Sequence, residues 1–493
     1  MSTGRSRFPG RSGTPPFPRR PPTCEGAARG TNPLCRTGIF RLRFGWVSCR
    51  ITPRHARRID ALRKERSVDS KPKASKASSD HGSERLRPAS LRGCERTVGQ
   101  AQAVAPDSSS ANDTRKRTHP RKIIVFDFFC GCGGTSEGFR EAGMDVVWAL
   151  DVDPSAAQTF RENFPQATFH EGDVNKLRPQ ELKREMAKHP DCLTLFCGCA
   201  PCQPFTKQKT QKKRNDPRRQ LLLSFARFVK AAKPDFIFVE NVPGVQKQQG
   251  GDGSPFAKFL AIVDELGYHY NKPGAVVAAQ DYGAAQIRHR FIFLASKRGV
   301  AKIPTATHGS GKTPYRTVRD AISGLPPIRA GENYVDPDGK ITSHRAAALS
   351  EKNLERIRAT PHDGGNRVFW TVESGLRLKC HTRTKTKDGK RKKKHSGHTD
   401  VYGRLWWDRP STGLTTRCNS YSNGRFGHPE QDRALSIREA ARIQGFPDSF
   451  RFTGSLNDQA RQVGNAVPVP LAKAVGAEFM REVAVTEEGA QHG

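Results

Sequence analysis

The chain is short of acids. Its 493 residues hold 48 Asp and Glu against 84 Lys and Arg, a formal net charge of +36. An excess of that size points to a polyanionic partner, most simply nucleic acid. The N-terminus lacks an apolar signal core, and no apolar run is long enough to span a bilayer. The expected setting is therefore a reducing cytoplasm, with no membrane partner. The twelve cysteines lack the regular spacing of a disulfide scaffold. No internal repeat stands out.

What is present divides the chain. Residues 1–120 carry 26 basic and 9 acidic residues, are rich in Arg, Pro, Ser and Gly, and show little periodicity. They read as a disordered basic arm, with one short basic helix possible in "RITPRHARRIDALRKERS". From Lys122 the texture changes. Apolar strands ("KIIVFDFF", "DVVWALDVD", "ATFHEGDV", "LTLFCG", "DFIFVENV") alternate with helical segments, and "GAVVAA" and "RFIFLAS" finish a sheet. That alternation predicts an α/β fold with a doubly wound, largely parallel sheet over residues 121–304. Residues 305–405 lose the alternation, are polar and loop-rich, and include the basic run "KTKDGKRKKKH" at 385–395. Residues 406–485 hold the helical "SIREAARIQGF", then "QVGNAVP" as a loop entering a final amphipathic helix. Residues 486–493 form a tail.

Ligands of such sheets bind beyond the carboxyl ends of the strands. The first strand end carries "DFFCGCGGTSEGF", where Gly131, Gly133 and Gly134 allow a tight turn and close approach to a ligand. Twenty residues past Gly131, Asp151 ends the second strand, placed for ribose hydroxyls. Asp173 follows the third strand and can accept from an adenine amino group. The glycine spacing departs from G-x-G-x-x-G and nothing demands a pyrophosphate, so an adenosyl ligand without phosphates fits.

The fourth strand end is "LFCGCAPCQPF". Its cysteines allow three readings: metal site, redox pair or nucleophile. Cys199 and Cys202 form C-x-x-C with Pro201 between them, but no second ligand pair follows, and the motif does not open a helix in the redox pattern. Cys202, following Pro201 on a loop with basic residues after it, reads as a nucleophile. Cys197 and Cys199 read as packing residues. The fifth strand end carries Glu240 in "ENVPG", where desolvation would raise a carboxyl's pKa toward proton donation; a structural ion pair is the other reading. In "QIRHRF", Arg288 and Arg290 alternate on a strand, which would send both guanidiniums to one face, toward an anion or a polarised carbonyl.

These stretches, with "RPSTGLTTR", resemble in content and order the cytosine-5 DNA methyltransferase family of the bacterial restriction-modification type, from about Ile123 to Val485. The resemblance implies a Rossmann-like methyltransferase core with a smaller, irregular target-recognition domain at 305–405. It implies methyl transfer from S-adenosylmethionine to carbon 5 of a flipped-out cytosine in a specific duplex DNA sequence, with no metal. Cys202 would be the nucleophile and Glu240 the acid. Arg290 would hold the ring carbonyl, with Arg288 beside it. Phe129 would stack on the adenine, Asp151 and Asp173 would hold the adenosyl group, and Asn465 would line its pocket. Double-stranded DNA is the implied partner, with a cognate restriction endonuclease as a further one, for a monomer in the nucleoid. An RNA substrate, an inactive DNA-binding relative and a nicotinamide dehydrogenase are the alternatives.

Overall fold

The computed structural model describes residues 121–201, 220–245, 254–378, 386–387, 390–391 and 399–492. The basic arm, Cys202 with the loop to residue 219, and most of the run 385–395 lie outside the described residues.

Three strands of β-branched and aromatic residues form the middle of the sheet. β1 (Ile123–Phe128), β4 (Leu193–Gly198) and β5 (Phe236–Asn241) are buried along their whole length. Only strands covered on both faces can be apolar at every position without cost. Alternate residues serve opposite layers. Val125, Leu195, Cys197 and Phe238 face one core, while Phe126, Phe128, Phe196 and Val239 face the other. With β2 (Asp145–Asp151), β3 (Thr168–Glu171), β6 (Ala275–Ala278) and β8 (His289–Ser296), these strands make a seven-stranded sheet in the order β3-β2-β1-β4-β5-β8-β6. The first five are parallel, and β8 runs antiparallel to both β5 and β6. The expected largely parallel sheet is therefore observed.

The chain leaves β1 toward β2 and β3, then returns to β4 on the other side. This reversal opens a crevice at the carboxyl ends of β1 and β4, where Phe128 pairs with Gly198. Around it stand α1 (Gly134–Glu141) and α2 (Pro154–Asn163), the latter with Pro154 in its first turn and Asp153 accepting from Ser155 N. α3 (Pro179–Met186), α4 (Leu221–Ala232) and α5 (Pro255–Glu265) complete the strand–helix alternation. Phe225, Phe228, Phe256 and Phe259 bring α4 and α5 into the second core.

The region after the sheet holds α6 (Val318–Ile322), α7 (Glu351–Arg358), and β9 (Thr386–Lys387) paired antiparallel with β10 (Lys390–Arg391). Val318, Ala321 and Ile322 pack into the main core. A separate small core gathers Ile357, Trp370, Leu376, Tyr402, Tyr421 and Ala434, from both sides of residue 405. β11 (Ser411–Thr412) pairs in parallel with β7 (Gln286–Ile287).

α8 (Ile437–Gln444), α9 (Leu456–Asn465) and α10 (Val469–His492) end the described chain. A Cβ at Gly138 of α1 would lie 2.4 Å from Ala472 Cβ of α10, so glycine there permits close packing of the two helices. "QVGN", expected as a loop, is the last turn of α9. The helix starts earlier than the sequence reading allowed, at a capping box in which Ser455 and Asp458 satisfy each other's main-chain N–H groups.

Candidate active site

The turn after β1 is shaped by three residues with left-handed backbone. Phe129 has φ 61°, Gly131 φ 54° and Gly133 φ 97°. Positive φ at a phenylalanine is costly, and such strain is sustained where the surroundings over-determine it. Here Cys130 N donates to Leu150 O at 3.1 Å and Gly131 N donates to Asp151 Oδ2 at 2.8 Å. A Cβ on Gly131 would meet nothing within 4 Å, so its backbone is bare toward the crevice. Gly134 is tight instead, with Val467 O 2.7 Å from where its Cβ would be. Gly133 does not line the crevice; it packs against Phe164 and Phe160. Its part is to let the turn enter α1.

The crevice is a cavity of about 500 Å³, within the range of small-molecule sites. Phe129, Gly131, Gly134, Asp151, Asp173 and Asn465 all line it, and so do Glu240 and Arg290. Asp151 is held by two main-chain donors, Gly131 N and Asp153 N, the latter at 2.9 Å. Burial pushes its carboxyl up from the ordinary value, and these N–H groups draw it partly back. Asp173 Oδ1 accepts from Asn175 N and Nδ2, both at 2.9 Å.

At the other end of the cavity Glu240, buried on β5, pairs with Arg290 Nε at 2.6 Å. Burial raises the Glu240 pKa, and the guanidiniums of Arg290 and then Arg288 pull against it without cancelling the rise. Desolvation outweighs ion pairing because both partners sit under cover. The adjacent Asn241 Nδ2 donates to Ala200 O at 3.1 Å, tying the start of the loop after β4 to β5. Cys199, Ala200 and Pro201 line the cavity immediately before Cys202, which itself lies outside the described residues.

Arg288 is buried between the exposed Ile287 and His289, as alternation predicts, yet it does not share the cavity with Arg290. The strand is interrupted at this residue: β7 pairs with β11, whereas β8 pairs with β5 and β6. Arg288 is buried and absent from the cavity wall. Its guanidinium donates to the main-chain oxygens of Leu414, Gly464 and Ala466, the second at 2.7 Å. Gln286 and Gln444 complete this layer, with Gln444 Nε2 donating to Val463 O and Ala466 O. The arginine thus clamps the end of α9, where Asn465, Ala466 and Val467 form cavity wall.

The cavity wall holds residues beyond the sequence candidates, Cys199, Arg461 and Gln462 among them. Cys199 packs against the main core, as expected, and also lines the cavity, its sulfur 3.5 Å from both Cys197 Sγ and Thr135 Oγ1. The expected loop "QVGN" gives no reason to count Arg461 or Gln462 as wall residues, whereas the helix Leu456–Asn465 does. As a helix, Arg461 and Asn465 share a face at i, i+4 spacing. Arg461 pairs with Asp153 at 3.1 Å, and Gln462 Nε2 donates to Ser155 Oγ at 2.7 Å, so α9 is moored to α2 across the cavity.

A doubly wound sheet with a nucleoside-sized cavity at its switch point, paired acids at one end and a buried Glu–Arg pair at the other, defines a methyltransferase-like α/β enzyme. The profile of the C-5 cytosine-specific DNA methylases matches residues 123–481, and the chain belongs to that family. It is 39% identical over 366 residues to the Type II methylase M.HgiDII of Herpetosiphon aurantiacus, covering 72% of this chain and 95% of the relative. It is 30% identical to the Type II methyltransferase M.AgeI of Thalassovita gelatinovora, covering 71% and 97%. Its fold is similar to a solved prophage-encoded E. coli protein assigned as a DNA modification methyltransferase, with TM-score 0.54, 25% identity and coverage of 74% and 100%. The protein is a DNA cytosine-5 methyltransferase. Among the described residues, no helix is long and apolar enough to cross a membrane.

Proposed function

We propose that this enzyme methylates carbon 5 of a cytosine flipped out of a specific duplex DNA sequence, with S-adenosylmethionine as donor and a covalent adduct on Cys202. The observation that carries this reading is one cavity lined by Asp151 and Asp173 at one end and by Glu240, Arg290 and Pro201 at the other.

The cavity suits an adenosyl ligand. Gly131 bares its backbone toward it, and the Asp151 carboxylate is fixed by two N–H donors with lone pairs left for ribose hydroxyls. Phe129 would cover the adenine, Asp173 would accept from its amino group, and Asn465 would close the far wall. When bound, the donor supplies an electrophilic methyl group. Everything else is the task of the protein.

Carbon 5 of cytosine is a poor nucleophile. A Cys202 thiolate attacking carbon 6 would make carbon 5 enamine-like and reactive. Glu240, kept protonated to higher pH by burial, donates to ring nitrogen 3 as negative charge develops there. Arg290, already beside Glu240, donates to the ring carbonyl. Loss of the carbon 5 proton then expels the cysteine. The reacting atoms are inaccessible in a stacked base pair, so the cytosine must leave the duplex.

Sequence choice is assigned to residues 305–405, where base readout needs a surface separate from the catalytic cavity. Residues 1–120 would add non-specific DNA affinity, and a restriction endonuclease of the same specificity is the partner this reading implies for a monomeric enzyme. The test is a trap. DNA carrying 5-fluorocytosine, with S-adenosylmethionine, should form a denaturation-stable complex with the intact enzyme and none with Cys202→Ser. Methylation at a near-normal rate by Cys202→Ala would overturn the mechanism.

A further inference from the structure

Ten large hydrophobic residues are exposed among the described residues, and most are scattered singly, as surface hydrophobics usually are. Val152 is accounted for as cavity wall. Three others fall within five residues: Val368, Phe369 and Val372 are 58%, 62% and 66% exposed. No other two of the ten lie so close in sequence.

This turn is held rigid. Asn366 Oδ1 accepts from Val368 N at 2.9 Å, and Asn366 O accepts from Phe369 N at 3.1 Å. Trp370, between the exposed side chains, is buried in the small core, with Nε1 donating to Thr360 Oγ1 at 2.9 Å and its ring against Tyr402. Arg377 Nε donates to Trp370 O at 2.7 Å, and Ser374 Oγ to Thr371 O at 2.8 Å. One aromatic residue anchors the turn while its neighbours are left outside. An apolar tip on a fixed pedestal loses little conformational freedom on docking.

The sequence indicates what it docks on. Directly after the turn, residues 379–398 hold nine Lys and Arg and a single acid. An apolar tip joined to a strongly basic run matches a ligand with an anionic backbone and apolar, stackable groups inside it. We propose that Val368, Phe369 and Val372 enter the duplex DNA substrate and pack against its bases. Such wedges pack on base faces or thymine methyl groups while neighbouring basic residues hold phosphates. The inference rests on the reading above that this enzyme methylates duplex DNA and selects sequence through residues 305–405.

The experiment compares the full chain with the double variant Phe369→Ser, Val372→Ser and with Phe369→Leu. The substrate is plasmid DNA propagated without cytosine methylation. The double variant should raise the KM for DNA about tenfold or more. It should leave the thermal midpoint and S-adenosylmethionine affinity unchanged, because the side chains are exposed and outside the cavity. The salt dependence of DNA binding should keep its slope, since no phosphate contact is lost. Phe369→Leu should retain most of the wild-type KM. An unchanged KM in the double variant overturns the wedge. So does a dimeric wild type that the substitutions convert to monomer without weakening DNA binding, which would assign the tip to a second copy. A wild-type protein that leaves the plasmid unmethylated overturns the proposed function itself, and is read out before any variant is made.

Discussion

Arg288→Ala separates two roles for one residue. If Arg288 holds the target base, its loss should impair chemistry and leave the fold intact. If it clamps the chain, the damage should appear first in stability and in cofactor binding. Its guanidinium serves Leu414 O, Gly464 O and Ala466 O. Gln444 also donates to Ala466 O, so two carbonyls, Leu414 O and Gly464 O, lose this donor, at about 1–3 kcal/mol each and without adding in full. A loss of about 2–5 kcal/mol is therefore expected, a large part of a typical domain's stability. Gly464 and Ala466 flank Asn465 on the cavity wall, so S-adenosylmethionine affinity, measured by calorimetry without DNA, should fall as well. Urea midpoints at constant m-value give the stability change. Arg288→Lys keeps the charge but cannot fork to three acceptors, and should recover only part of the loss. A stability change below about 1 kcal/mol with unaltered cofactor affinity and abolished methyl transfer would refute the clamp and return Arg288 to the base site.

Three further outcomes are expected. Glu240→Gln should lower the methyl-transfer rate about 10²–10⁴-fold while preserving cofactor affinity, and wild-type transfer should decline as pH rises through the raised Glu240 pKa. Asp127 is buried beneath the turn after β1, where it accepts from Ser136 Oγ at 2.7 Å, and burial lifts its pKa from 3.8 to about 7. The folded state therefore holds a proton that the unfolded state releases, and stability should be highest below pH 4 for this group and be lost as pH rises to about 7, by roughly 4 kcal/mol at most; urea midpoints at pH 5 and pH 8 that fail to differ in this direction would count against it. Asp151→Ala should weaken S-adenosylmethionine binding by about 1–3 kcal/mol in calorimetry, and unchanged affinity would remove it from the ribose role.

The strands were legible because burial on both faces leaves a simple record. Runs such as "IIVFDF" and "LTLFCG" have no solvent-facing positions to interrupt them. Strand ends then located Asp151, Asp173 and Glu240 with no knowledge of the helices, since a doubly wound sheet brings those ends to one rim. Alternation sends Arg288 inward with Arg290, but the carbonyls that engage it, Leu414 O, Gly464 O and Ala466 O, lie more than a hundred residues away and leave no local signal. Arg461 escaped because Gly464 and Asn465 look like loop residues, while the helix-start signal "SLND" lies several residues upstream. Cys197 and Cys199, on and just past the strand, both pack as their position suggests, and Cys199 lines the cavity as well because it lies beyond the strand end.

Charge was the least faithful guide to position. Residues 121–493 hold 58 basic and 39 acidic residues, but many of their arginines serve the fold. Arg404 donates to the carbonyls of Ile357, Thr360, His428, Glu430 and Gln431 and pairs with Asp432. Arg433 grips Glu439, and Arg438 holds Thr342 O, Pro447 O and Phe450 O. Arg425 joins Asp400 to Gly364 O and Arg404 O. A planar fork can satisfy several carbonyls at once. These cations cannot also meet a phosphate. The charge excess that remains lies mostly in two runs: residues 202–219 with seven Lys and Arg and one acid, and residues 379–398 with nine and one. The first begins at Cys202, and the second follows the apolar turn at 368–372. In sequence, therefore, the unspent positive charge adjoins Cys202 and the turn at 368–372. Neutralising either run should make the salt dependence of DNA binding shallower, while neutralising the buried arginines should instead destabilise the fold.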